Sequence, residues 1–171
     1  MIGTPHPART VDAIHWPSWE PGDRATLLFV IRDGQALLIR KKRGLGAGKI
    51  NAPGGRLEAG ETPLECAIRE VQEEVGVTAR RIRHCGRHRF QFTDGYKLFV
   101  DVFAAEDCDG EAIETDEALP MWVPTDKIPY EEMWADDRHW IPLMLEGTPF
   151  DGRYVFDGDT MLDMVLETTA T

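Results

Sequence analysis

The chain has 171 residues, 42% hydrophobic and 29% charged, enough for one globular domain with a single well-filled core. Its net charge of −11 excludes long polyanions as partners, since duplex DNA, RNA and an anionic membrane are all repelled by the mean field. Cys66, Cys85 and Cys108 are scattered without CxxC spacing, so free thiols in a reducing, cytoplasmic compartment are expected rather than a disulfide framework.

Residues 1–24 contain Pro5, Pro7, Pro17 and Pro21 with Trp16 and Trp19, and no apolar run of signal-peptide length. They read as an extended N-terminal arm, pinned by its tryptophans, ahead of a domain over residues 25–171. ATLLFVIR-DG-QALLIRK, from Ala25 to Lys41, predicts a β-hairpin turning at Asp33-Gly34. A glycine-rich loop follows, RGLGAGKINAPGG, from Arg43 to Gly55. The basic run Arg40 to Arg43 at its start reads either as a solvated patch or as a steering surface for a small anion.

The next segment is punctuated as a helix. Thr62 stands at the N-cap, Pro63 at the first helical position, Glu65 completes a capping box, and Gly76 stops it. Leu64, Ala67, Ile68, Val71 and Val75 form the expected apolar stripe, which Glu70, Glu73 and Glu74 flank. Strands are expected over residues 77–85, 87–92, 97–105, 121–124 and 153–156, with a short helix over 136–145 despite Pro142. The sum predicts an α/β (α+β) protein, a mixed β-sheet with helices on its faces.

Glu70, Glu73 and Glu74 share one side of that helix. At ~5.5 Å and an effective dielectric near 20, two such carboxylates repel by roughly 3 kcal/mol. A solvated helix face is the plain reading. Against it, the carboxylates border the apolar stripe, follow a glycine loop that admits a ligand close to backbone, and enclose Arg69. A hard divalent cation relieves such crowding and bridges to phosphate oxygens.

The pattern Gly55, five residues, Glu61, seven residues, then Arg69-Glu70-Val71-Gln72-Glu73-Glu74-Val75-Gly76-Val77 resembles a complete Nudix box. Chance matching of its fixed positions is on the order of 10⁻⁸ per window. The resemblance implies an αβα sandwich around a mixed sheet. It also implies hydrolysis of a nucleoside diphosphate linked to a further group, by metal-activated water, with Mg²⁺ or Mn²⁺ as cofactor. Glu70 and Glu74 would be the main metal ligands, Glu73 a further ligand or the base, and Arg69 the residue that orients a carboxylate. The Gly54 carbonyl would add a ligand and Glu61 would support the loop.

The substrate is sought elsewhere in the chain. The SQPWPFP-type array of NADH pyrophosphatases is missing, as is the proline that ADP-ribose hydrolases carry after the box, where Phe92 and Thr93 stand. Asp136 and Asp137 sit between Trp134 and Trp140. As plain structure, Asp136 would cap a helix and the indoles would be core. As chemistry, two neighbouring desolvated carboxyls share one proton and present a donor beside an acceptor, which suits a purine edge, and Trp134 supplies a stacking face. From about Ala25 onward the chain is similar to the MutT-homologue branch of the family, which hydrolyses oxidised purine nucleoside triphosphates such as 8-oxo-dGTP and 2-hydroxy-dATP. That resemblance implies Thr26, Lys41, Asn51, Gly54, Gly55 and Phe90 as pocket residues and Glu117 as a further metal ligand. The chain departs from it at Leu45, where the branch has an aromatic wall, and at Ala52-Pro53, in place of glycine and an aromatic; Pro53-Gly54-Gly55 is closer to bacterial MutT.

The expected activity is therefore hydrolysis of an oxidised purine nucleoside triphosphate to monophosphate and pyrophosphate by a monomer or homodimer. Another nucleotide substrate for the same box, and a non-catalytic nucleotide sensor, are the rivals. His84 and His88 with Cys85 lie on one predicted strand, where their side chains need not converge, so zinc is not expected.

Overall fold

β1 (Asp23–Arg32) and β2 (Gln35–Lys41) are joined as their turn dipeptide predicts: Asp33 and Gly34 both take positive φ, 53° and 74°, the tight hairpin turn that matches strand twist. The structure is a computed structural model that describes residues 6–169; the first five residues of the expected arm lie outside it. Two short strands, β3 (Ile50–Asn51) and β4 (Gly54–Arg56), lead into α1 (Pro63–Val75). β5 (Thr78–Phe92), β6 (Lys97–Asp109) and β7 (Ala118–Pro124) follow, then α2 (Asp137–Glu146) and the hairpin β8 (Phe150–Asp157) and β9 (Thr160–Thr168). Among the described residues, no helix is long and apolar enough to cross a membrane.

The strands form one mixed sheet in the order β3-β2-β1-β6-β5-β8-β9, with β4 on β1 and β7 on β2. β1 runs parallel to β6 and β5 parallel to β8; the other pairs are antiparallel. β1 changes partner along its length. Ala25, Thr26 and Leu27 pair with β4, whereas only Ile31 and Arg32 pair with β2. That divergence opens the sheet, and the cleft described below lies in the gap.

Alternation along β1 feeds two cores. Leu28 and Val30 pack with Ala67, Val71 and Val75 of α1, while Phe29 packs with Trp140 and Met144 of α2 on the opposite face. Helices on both faces of a mixed sheet are the sandwich expected.

Several boundaries differ from the sequence reading. The strands expected on either side of Gly86 are one strand, β5, with a bulge between His84 and Gly86. Gly86 is there for proximity: a Cβ would lie 2.4 Å from the Phe150 ring. β3, β4 and β9 were not expected, and β7 begins three residues earlier than the expected 121. Leu64, assigned to the apolar stripe of α1, is exposed, and its place is taken by Cys66.

Within the N-terminal segment, Val11–Ala13 and Trp16–Ser18 each form one turn of 3-10 helix. Trp16 Nε1 donates to the Val11 carbonyl at 3.0 Å, Trp19 Nε1 to Gln91 Oε1 at 3.0 Å, and the Val11 amide to Asp163 Oδ2 at 2.7 Å. The segment is thus fastened to β5 and β9.

Candidate active site

α1 starts with the predicted capping box. The Thr62 hydroxyl accepts from the Glu65 amide and the Glu65 carboxylate from the Thr62 amide, both at 3.2 Å. Gly76, at φ 77°, closes the other end. So framed, α1 turns Glu74 inward, 4% exposed, and Glu70 toward β4. The loop before β7 brings in Glu117. Its anchor is Thr115, whose hydroxyl donates to the Glu74 carbonyl at 2.7 Å and accepts from the Glu117 amide at 3.2 Å. Glu70, Glu74 and Glu117 each offer an oxygen within 4.8 Å of the others.

Three carboxylates this close are unfavourable on their own. Burial, and then the Glu70 charge, push Glu74 up to about 8, and burial raises Glu70 as well. Glu74 Oε2 is buried with no hydrogen-bond partner. An all-oxygen donor set with an orphaned buried oxygen fits a hard divalent cation. The glycines of β4 make it possible. A Cβ on Gly55 would lie 2.4 Å from the Glu70 carboxyl carbon, and one on Gly54 only 1.9 Å from the Thr26 carbonyl oxygen.

Arg69 organises the rim. Its Nε and Nη2 grip Glu61 at 2.7 and 2.8 Å, its Nη1 reaches Glu70 at 2.8 Å and Glu73 at 3.1 Å, and its Nη2 reaches the Arg56 carbonyl at 3.1 Å. That guanidinium holds the Glu61 carboxyl down to about 2. Glu73 is the outlying carboxylate: it lies on Arg69 and outside the Glu70–Glu74–Glu117 cluster.

From this cluster a cleft of about 490 Å³ runs between α1 and α2. Thr26, Lys41, Leu45, Asn51, Gly54, Gly55, Phe90, Trp134, Asp136 and Asp137 line it, together with Glu70, Glu74 and Glu117. Arg69 and Glu73 stay outside. Lys41 Nζ donates to the Leu45 carbonyl at 2.8 Å, and its charge offsets part of the burden on Glu74. Asn51 is turned back on its own backbone, accepting from the Ala52 amide at 2.8 Å. Thr26 Oγ1 donates to Cys66 Sγ at 3.4 Å. Leu45 is 43% exposed at the mouth.

Asp136 does not cap α2. Its side chain makes no capping hydrogen bond and instead accepts from Trp140 Nε1 at 2.8 Å. Asp136 and Asp137 are 2% and 3% exposed, and burial pushes both carboxyls up. The indole N–H favours the anion on Asp136, whose charge then raises Asp137 further, so the shared proton rests on Asp137. Asp137 Oδ2 is buried without a partner. Trp134 makes edge contacts with Phe156 and Phe92, and the Lys49 ammonium lies 5.3 Å from its ring centre. Gly46, at φ 79°, lets the loop close on that indole; a Cβ there would meet Nε1 at 2.8 Å.

Sequence reasoning passed over Phe92, Phe156 and His88, all of which line the cleft. Phe92 was legible as the second aromatic on the Phe90 face of β5. His84 and His88 do not form a zinc site: His84 pairs with Asp101 at 2.8 Å, whereas His88 is buried beside Tyr154.

Residues 22–144 match the model of the NUDIX domain. The chain is 43% identical over 138 residues to the oxidized purine nucleoside triphosphate hydrolase of Danio rerio, covering 80% of this chain and 88% of that one. With the Mus musculus protein of the same name it shares 38% over 143 residues, 82% and 92% of the two chains. The crystal structure of a MutT protein from Bacillus halodurans superposes with a TM-score of 0.76 at 29% identity, covering 85% of this chain and 97% of that one. A box on α1, a matched domain over most of the length and relatives alike over about four fifths of the chain agree: this chain belongs to the Nudix hydrolase family.

Proposed function

We propose that this hydrolase cleaves oxidised purine nucleoside triphosphates, 8-oxo-dGTP and 2-hydroxy-dATP among them, to the monophosphate and pyrophosphate, and so sanitises the nucleotide pool. One observation carries the reading: a buried Asp136–Asp137 pair framed by indoles shares a single cleft with the Glu70–Glu74–Glu117 cluster. The relatives named for this activity support it.

Nudix hydrolases use divalent metal, and here Glu70, Glu74, Glu117 and the Gly54 carbonyl would hold Mg²⁺ or Mn²⁺. Bound there, the cation supplies an activated water and neutralises charge that develops on the phosphates. Arg69 orients Glu70 and Glu73, and Glu73, paired with it at the rim, is a further metal ligand or the base. Lys41, Thr26, Asn51 and Gly55 receive the phosphates and sugar. Asp136 accepts from, and protonated Asp137 donates to, the edge of the purine, while Trp134, Phe90 and Leu45 bound its faces. The partner is a small molecule, with no nucleic-acid polymer or membrane involved, and the protein acts as a monomer or homodimer. Three free buried cysteines are in keeping with a reducing cytoplasm.

The reading is tested by incubating 8-oxo-dGTP with protein and Mg²⁺ and resolving products by chromatography, beside Glu74→Gln. Monophosphate and pyrophosphate from the native protein alone are expected. Release of orthophosphate, or equal turnover by the variant, would overturn it.

A further inference from the structure

Among the described residues, three of the buried side-chain atoms without a hydrogen-bond partner belong to residues of one cleft: Glu74 Oε2, Asp137 Oδ2 and His88 Nε2. Such atoms are rare in folded proteins, and each calls for an explanation. The proposed function gives the first to the metal and the second to the base. His88 is left over.

His88 is held firmly. It lies at the middle of the sheet, opposite Val100 of β6 and Gly152 of β8, and is fully buried. Its ring centre lies 4.6 Å from Trp140, 5.1 Å from Phe150 with the rings stacked, and 5.7 Å from Phe90. Nδ1 is 3.0 Å from the Tyr154 hydroxyl, for which Gly152 makes room: a Cβ there would lie 2.2 Å from that oxygen. The tautomer follows from counting unpaired groups. If the hydroxyl donates to Nδ1, one N–H, on Nε2, lacks a partner. If Nδ1–H donates to the hydroxyl, both the Nε2 lone pair and the hydroxyl proton are stranded. The first arrangement costs less, so Nε2 carries the proton. Burial keeps the ring neutral, pushing it down to about 3.

The Tyr154 hydroxyl accounts for Nδ1 but not for Nε2, so packing explains one side of the ring and leaves a buried donor without a partner on the other. We infer that His88 is a specificity-determining residue, its Nε2–H donating a hydrogen bond to an acceptor atom of the purine base in this cleft. The inference rests on the proposed reading that the cleft takes a purine nucleotide, and adds to the Asp136–Asp137 pair a second, uncharged contact from the floor.

The test is a set of double-mutant cycles. kcat/KM is measured for native protein and His88→Leu with dGTP, with 7-deaza-dGTP, 3-deaza-dGTP and the 2-aminopurine deoxynucleoside triphosphate, which lack N7, N3 and O6 in turn, and with 8-oxo-dGTP, which adds O8 and turns N7 into a donor. Deleting the acceptor that meets Nε2 should cost the native protein roughly 10- to 100-fold and the variant little, while other deletions cost both equally. Additive losses with every analogue would overturn the inference. A second measurement needs no variant. In protein labelled with ¹⁵N-histidine, the Nε2–H signal of His88 should shift when 2′-deoxyguanosine monophosphate is added, and an unmoved signal would also overturn it. Should the native protein hydrolyse no purine triphosphate at all, the parent reading fails and this one with it. Additive cycles in an active enzyme would remove His88 alone.

Discussion

At the scale of single residues, the site is a set of groups held where they are unfavourable until a ligand arrives. Glu74 is buried beside Glu70 with one oxygen unpartnered. Glu74→Gln should therefore lower kcat on the order of a thousandfold, yet raise the melting temperature of the metal-free protein at neutral pH, which differential scanning fluorimetry would register. The Asp136–Asp137 pair gives a pH signature. Both folded-state pKa values are raised, so the folded state binds the extra protons. Their contribution to stability is fully present below about pH 4 and is lost as pH rises through the raised values. Purine affinity follows a bell. It falls below about pH 6 as Asp136 also takes a proton, and at higher pH as Asp137 gives its proton up. Asp137→Asn keeps a donor at that position at every pH, and a KM profile flat on the alkaline side is the expected result.

At the scale of elements, the two glycines of β4 separate structural from catalytic effects. Gly54→Ala drives a methyl into the Thr26 backbone and should destabilise the fold by about 3 kcal/mol in urea titration. Gly55→Ala meets the Glu70 carboxyl, which can move, so activity and metal affinity should fall with a much smaller loss of stability. Thr62→Ala removes the capping box and should cost about 1 kcal/mol without altering substrate ranking. These elements also show what was legible. α1 was readable because Thr62, Pro63, Glu65 and Gly76 act locally, and the Asp33-Gly34 turn needs only its own two backbone conformations. The Gly158-Asp159 dipeptide between β8 and β9 carried a similar signal and was passed over. β3 and β4 are too short for any periodicity; they exist because β2 offers a partner to the first and β1 to the second. Gly86 reads as a break, and only the nearness of Phe150 shows it to be a bulge within one strand. Asp136 reads as a cap because the Trp140 indole that claims its oxygen is a contact that sequence patterns do not announce. His88 drew attention only as a zinc candidate, since a buried Nε2 without a partner is a contact that sequence patterns do not show.

At the scale of the whole molecule, the sheet that changes partner along β1 lets one cleft be lined both by Glu70 and Glu74 of α1 and by Asp137 and Trp140 of α2. The N-terminal segment lies away from that opening, on β5 and β9, with Val11 4% exposed. Removing residues 1–21 should therefore cost about 2 kcal/mol of stability while leaving kcat/KM unchanged, as denaturation and turnover measured on the same preparation would show. The measurement that bears most directly on the central claim is a competition. Equimolar 8-oxo-dGTP and dGTP, both well below KM, are offered together with Mg²⁺, and the two monophosphates are quantified during the first few per cent of reaction. A large excess of the oxidised monophosphate is the predicted result; equal amounts, or an excess of dGMP, would contradict it and leave a Nudix hydrolase with a different substrate.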